Sequence, residues 1–129
     1  MRGRVLHNCL AEDVKAVCDR KRIRSVMEYA VCLPSTTAYF DVAAWLANRF
    51  IAIEIETTVR HIDRTVAKAR MAGVELWVVV PTRKLRGQIK NRLRKFGIRA
   101  KNGRFKLLLQ SQVEQEVVNY LSLSTPANR

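Results

Sequence analysis

Apolar positions along the chain follow two different periods, and each change of period marks a new element. Leu6, Leu10, Val14 and Val17 recur at helical spacing, which predicts an amphipathic helix over 6–20 with one buried stripe. The basic stretch Lys21-Arg22-Ile23-Arg24 ends it. Strands are predicted over 26–33, stopped by the turn signal Pro34-Ser35-Thr36-Thr37, and over 39–46 and 50–56, with a short reversal at Asn48-Arg49 between them. Two short connections in succession imply an antiparallel three-strand meander. Helical period returns with Val59, Ile62, Val66 and Ala69, and Gly73 is the expected C-cap. The run over 75–80 is almost wholly apolar, as in a strand covered on both faces. Pro81-Thr82 opens another helix with the stripe Leu85, Ile89, Leu93 and Phe96, ended by Gly97. A strand over 105–109 and a helix marked by Val113, Val117 and Leu121 follow, with a frayed tail over 124–129.

This order predicts an α/β fold. A single domain over 1–123 would carry a mixed central sheet, an antiparallel meander plus a strand after a crossover helix, flanked by helices. At 129 residues and 48% hydrophobic content, one packed core is expected. The cysteines Cys9, Cys18 and Cys32 are odd in number and lack C-x-x-C or paired histidine spacing. That pattern argues against a disulfide framework or a zinc site, and for reduced, mostly buried thiols in a cytoplasmic protein. No stretch reaches the roughly 18 apolar residues of a membrane span, so no membrane partner is expected. Glu12 and Asp13 in the first amphipathic segment exclude a signal peptide.

Charge changes the picture. Twenty-four basic against 11 acidic residues leave a net charge of +13, which points to a polyanion and above all to nucleic acid. Between Arg83 and Lys106 stand 11 of those basic residues and no acid. A helix surface of one sign repels itself unless it faces phosphate, so Lys84, Arg86, Lys90 and Arg94 are expected nucleic-acid contacts. Arg60, Arg64 and Lys68 form a second stripe at i, i+4, i+8 on the crossover helix, with His61 beside them read as a surface or partly packed imidazole. Trp45 and Trp77 lie in strand patterns and are assigned to the core, so recognition should rest on backbone and shape.

Three acids run against this positive background. Asp41 interrupts the second predicted strand, and Glu54 and Glu56 the third; they are the only acids between Glu28 and Asp63. Strand alternation puts Glu54 and Glu56 on one face, roughly 6–7 Å apart, with Ile51, Ile53 and Ile55 on the opposite, core face. A hairpin would set Asp41 across from the pair. Carboxylates gathered on one face repel and are costly to desolvate. Either they form a solvated face, with Asp41 in salt bridges to local arginines, or a divalent cation offsets their charge. Mg²⁺ prefers such hard oxygen ligands and supports phosphodiester hydrolysis.

The succession Phe40-Asp41-Val42, hairpin, Ile53-Glu54-Ile55-Glu56, amphipathic helix and apolar run resembles the core of the PD-(D/E)XK nuclease superfamily, over residues 5 to about 96. The resemblance implies a restriction-endonuclease-like fold in which Asp41, Glu54 and the carbonyl of Ile55 hold Mg²⁺, with Mn²⁺ able to replace it. The third signature position, usually lysine, is Glu56 here. Some members of the superfamily carry glutamate there, and in others the lysine has moved to the following helix, where Lys68 is the matching candidate. Lys68 would orient the attacking water or stabilise the transition state, and Glu56 would act as general base or second-metal ligand. Glu28 is the candidate accessory acid, with Glu12 as the alternative. The implied activity is a metal-dependent DNA endonuclease. A small, basic, single-domain chain resembles Holliday junction resolvases most, with restriction-like or mobile-element nucleases close behind. A homodimer would suit two-strand cutting, with the helix over 113–121 either at its interface or packed on its own core. The alternatives are a non-catalytic nucleic-acid-binding module that kept the fold, and an RNA-binding protein, which leaves the strand carboxylates without a reason.

Overall fold

The computed structural model describes residues 2–98 and 104–124, excluding the side chains of residues 2, 3 and 124. In chain order the elements are α1 (Arg2–Arg20), β1 (Arg24–Cys32), β2 (Thr37–Leu46), β3 (Arg49–Ile55), α2 (Ile62–Ala72), β4 (Glu75–Val80), α3 (Arg83–Lys95), β5 (Phe105–Leu109), a 3-10 turn (Gln110–Gln112) and α4 (Val113–Ser124). The five strands form one sheet in the order β1-β2-β3-β4-β5. The first three are antiparallel, and β3, β4 and β5 are parallel. The fold is therefore the α/β mixed sheet flanked by helices that the patterning predicts.

Helices cover both faces. α1 and α4 pack on Val42, Ala44, Leu46, Ile51, Ile53, Ile55, Trp77 and Val79. α2 and α3 pack on Phe40, Ala52, Leu76, Val78 and Val80. β4 lies centrally and every residue in it is buried, which explains why its sequence lacks alternation. Gly73 caps α2 at φ 67°, and Thr82 caps α3 by accepting a hydrogen bond from the Leu85 amide at 3.1 Å. The β2–β3 reversal uses Ala47 and Asn48, both at positive φ, one residue earlier than Asn48-Arg49.

Several side chains depart from their expected places. Leu6 is 42% exposed; the buried stripe of α1 is Leu10, Ala11, Val14, Val17 and Cys18. Phe96 caps α3 and is 57% exposed, while Ile98 takes the core position beyond it. Only Cys18 of the three cysteines is buried; Cys9 on α1 and Cys32 at the end of edge strand β1 are exposed. Trp77 is core, but Trp45 is half-buried, edge-on to Tyr29 and Phe50 with ring centroids 5.4 Å from each, under the Arg24 guanidinium. α4 buries Val113, Val117 and Tyr120 in its own chain's core, so that stripe is not free to form a dimer. The predicted tail begins on the last residue of α4, and 125–129 lie outside the described residues. Among the described residues no helix is long and apolar enough to cross a membrane.

One irregularity positions the functional site. In β2, Ala38 and Phe40 face α2 and α3, whereas Val42, Ala44 and Leu46 face α1 and α4. Perfect alternation would keep all five on one side. β1 makes the same exchange: Met27 packs on the α1 side and Val31 on the α2 side. The β1–β2 register runs from Met27↔Val42 to Tyr29↔Phe40 and skips the rung of Glu28 and Asp41. Glu28 sits there at φ 52°, a left-handed backbone in mid-strand, and both strands exchange faces across it.

Candidate carboxylate–lysine site

The last rung between β2 and β3 is Val42↔Ile53, and beyond it carboxylates replace backbone partners. The Asp41 amide donates to Glu54 Oε1 at 2.8 Å, and the Ile55 amide donates to Asp41 Oδ2 at 2.8 Å. Each acid is thus held by a main-chain N–H of, or next to, the other. Hydrogen bonds of this charge-assisted kind are short and orienting. β3 meanwhile keeps its pairing with β4, through the Glu56 amide and the Val79 carbonyl at 3.0 Å.

Side chains from both helical layers complete the site. From α1, His7 Nε2 donates to Asp41 Oδ2 at 3.1 Å. From α2, Lys68 Nζ donates to Glu54 Oε2 at 2.5 Å and to the Tyr39 carbonyl at 2.6 Å, and lies 4.8 Å from the centre of the Phe40 ring. Thr65 Oγ1 donates to Glu56 Oε2 at 2.5 Å. Asp41 Oδ1 and Glu56 Oε1 accept no hydrogen bond among the described residues.

Burial sets the electrostatics. Glu54 is 6% exposed, and its carboxyl is pushed up to about 7, first by desolvation and then by the neighbouring charge of Asp41. The Lys68 ammonium and the Asp41 amide pull the other way without cancelling the rise. Burial also raises Glu56, against the hydrogen bond from Thr65.

Asp41, Glu54 and Lys68 come together as expected, and Ile55 adjoins them through its amide. The expectation of three carboxylates on one face is corrected. Glu54 and Glu56 both face α2, whereas Asp41, at the point where β2 changes face, reaches His7 of α1. Among the described residues no group of three or more His, Cys, Asp or Glu side chains is gathered to hold a metal. The smaller set of Asp41, Glu54 and the Ile55 carbonyl still fits Mg²⁺, which takes few protein oxygens and keeps waters. The observation behind that fit is Asp41 Oδ1, which accepts no hydrogen bond among the described residues and lies beside the carboxylate of Glu54. None of the three acids pairs with an arginine among the described residues, so the salt-bridge alternative does not describe them. Glu28 lies across the skipped rung but is exposed and makes no hydrogen bond or ion pair there, and Glu12 is exposed on α1.

Sequence reasoning missed His7 and Thr65. A signal for the first existed, because His7, Leu10, Ala11 and Val14 share one stripe of α1, and a polar residue on a buried stripe calls for a partner. Thr65 likewise lies among Ile62, Val66 and Ala69 on the buried face of α2.

The cations divide into two groups. Arg60 and Arg64 are exposed around the start of α2, with Arg64 donating to His61 Nδ1 at 3.3 Å. α3 leaves the same end of the sheet at which β3 delivers Glu54 and Glu56, because β3 and β4 are parallel. Lys84, Lys90 and Arg94 are exposed along it, and Arg86 donates to Gln112 at 3.1 Å. Arg92 is held by Asp63 at 2.8 Å.

No family model matches the chain, and no curated protein does. Nine solved chains match. One of them, the crystal structure of a protein of unknown function, AF1548, has a TM-score of 0.59 at 16% identity over 89% of this chain. That likeness is one of fold, and this chain spans 65% of that protein's length.

Proposed function

We propose that the chain is a metal-dependent DNA endonuclease of the PD-(D/E)XK type. The observation that carries this reading is the convergence of Asp41, Glu54 and Lys68 where β2 and β3 part, with a buried carboxyl raised to about 7 in a chain of net charge +13. A Mg²⁺ or Mn²⁺ ion on Asp41, Glu54 and the Ile55 carbonyl would polarise a phosphodiester and make bound water acidic. The remaining work falls to the protein's own groups. Lys68, anchored between Glu54 and the Tyr39 carbonyl, would present its ammonium to the negative charge that develops on the phosphoryl oxygens. Glu56, held through one oxygen by Thr65 and raised by burial, keeps its other oxygen to accept a proton from water. Arg60 and Arg64 flank this end of the sheet to hold neighbouring phosphates, and the α3 array extends the contact. Recognition through backbone and shape favours structure-specific, resolvase-like cutting, for which a homodimer would supply two such sites.

A binding module without catalysis is the second reading, supported by Glu56 in the usual lysine position. The Lys68–Glu54 contact weighs against it, because it supplies the ammonium from the next helix. Cleavage of labelled four-way junction, flap, single-stranded and duplex DNA with Mg²⁺, Mn²⁺ or EDTA tests the two. We expect metal-dependent cutting that Asp41→Ala and Glu54→Ala each abolish while DNA binding persists or tightens. Wild-type cutting by either variant would remove the catalytic assignment, and tight binding without cutting under any metal would favour the binding module.

A further inference from the structure

The face exchange at Glu28 and Asp41 turns the outer half of the β1–β2 hairpin toward α2, so that Ala38, Phe40 and the packed Val31 and Leu33 face that helix. The hairpin tip does not close on α2. A cavity of about 450 Å³ remains between them, open to solvent. Leu33 and Ala38 line it from the hairpin and Met71 from α2, the last 65% exposed. Thr36, Thr37 and Thr65 edge it, the hydroxyl of Thr65 being held by Glu56. Arg64 and Lys68 supply its cationic side, with the His61 ring beside them. Because the guanidinium of Arg64 can only donate, His61 Nδ1 accepts from it, and the pair is held beside the opening. Lys68 belongs to the cavity and to the carboxylate site at once, so the two are continuous.

We propose that this cleft takes a single unpaired nucleotide next to the scissile phosphate, an inference that rests on the nuclease reading of the adjoining site. Its volume lies within the range of small-ligand sites, roughly 300–1,000 Å³. That is room for one base and sugar, whereas a stacked base pair is too wide to enter. The apolar lining suits the face of a base, Thr36 and Thr37 offer hydroxyls to its polar edge, and the cations suit the phosphate on either side. A nucleotide can enter only after leaving its stack, which costs a few kcal/mol in a paired duplex and least where it is already unpaired. The preferred substrate is therefore DNA with an unpaired position beside the cut, as at a junction, flap or mismatch.

Ala67 lines the same cavity from the exposed side of α2, so Ala67→Trp fills the cleft without touching the core. Met71→Glu places a negative charge there instead. The experiment uses duplexes carrying 2-aminopurine opposite a mismatch at successive positions, bound by the full chain in EDTA and then cut after Mg²⁺ addition. We expect one position of strong fluorescence increase, next to the cleavage site. Both variants should bind the mismatched duplex about tenfold more weakly while binding paired duplex within about twofold of wild type. Their melting temperatures confirm folding. Equal binding of mismatched and paired DNA, with no effect of either variant, would overturn the cleft assignment even if Mg²⁺-dependent cutting occurs. A fluorescence increase lost in both variants, without cutting under any metal, would uphold the cleft and sink the nuclease reading alone.

Discussion

Glu54 carries the most specific physical signature in the molecule. Its carboxyl is raised from 4.5 to about 7, so the folded state holds a proton that the unfolded chain releases at lower pH. The stability this contributes is fully present below pH 4.5 and is lost as pH rises through about 7, by about 3 kcal/mol. Glu56 shifts the same way and adds to the fall. Urea melts at pH 5 and pH 8 should show wild type weaker at the higher pH. Glu54→Gln should reduce that difference, because a neutral amide has no charge to bury. Mg²⁺ should raise the melting temperature at pH 8 for wild type and not for Glu54→Gln, since an ion at the site relieves the same charge. Lys68→Met should lower cleavage by about 10²–10³-fold, the usual cost of removing one transition-state donor, with DNA affinity changed only a few-fold. Asp41 and Glu54 stand out in the sequence because acids inside apolar strands are chemically conspicuous, whereas Lys68, one of 24 basic residues, is singled out for catalysis only by the family resemblance. His7 does not stand out, because the helical period of α1 is carried by its apolar residues.

Elements were most legible where their boundaries are chemically abrupt. β4 and β5 begin and end where the apolar runs over 75–80 and 105–109 do. β2 shows the opposite case. Ala38, Phe40, Val42, Ala44 and Leu46 read as one face, yet the strand changes sides between Phe40 and Val42. Side-chain alternation carries no record of a backbone reversal, and the residue that makes it is Glu28 rather than a glycine that would have announced it. A left-handed glutamate stores strain that glycine does not. Glu28→Gly should therefore stabilise the protein by about 0.5–1 kcal/mol, and Glu28→Val, β-branched and worse suited to positive φ, should destabilise it by more than 1 kcal/mol, as read by urea unfolding. Cleavage by Glu28→Gly should stay near wild type, because the side chain is exposed and bonds to nothing in the site. Lost cleavage with gained stability would restore Glu28 as an accessory acid.

For the molecule as a whole, charge decides where a polyanion can lie. α4 uses its apolar stripe on its own core, and Arg20 and Lys21 tie Glu114 on its surface at 2.9 and 3.4 Å, so those cations are already paired. α3 differs: its apolar stripe is buried, while Lys84 and Lys90 have no salt-bridge partner among the described residues, and Arg86 has only the neutral Gln112. Arg92 is excluded from this array because Asp63 already neutralises it. Each phosphate neutralised by a free cation releases condensed counterions, contributing about 0.9 to the slope of log affinity against log salt. Replacing Lys84, Arg86 and Lys90 together with alanine should lower that slope by about two to three and weaken binding most at low salt. Folding should change little, since none of the three belongs to the buried stripe. Affinities measured across a salt series on one junction substrate would decide it. An unchanged slope would move the DNA path off α3 and onto the start of α2, where Arg60 and Arg64 would have to carry it.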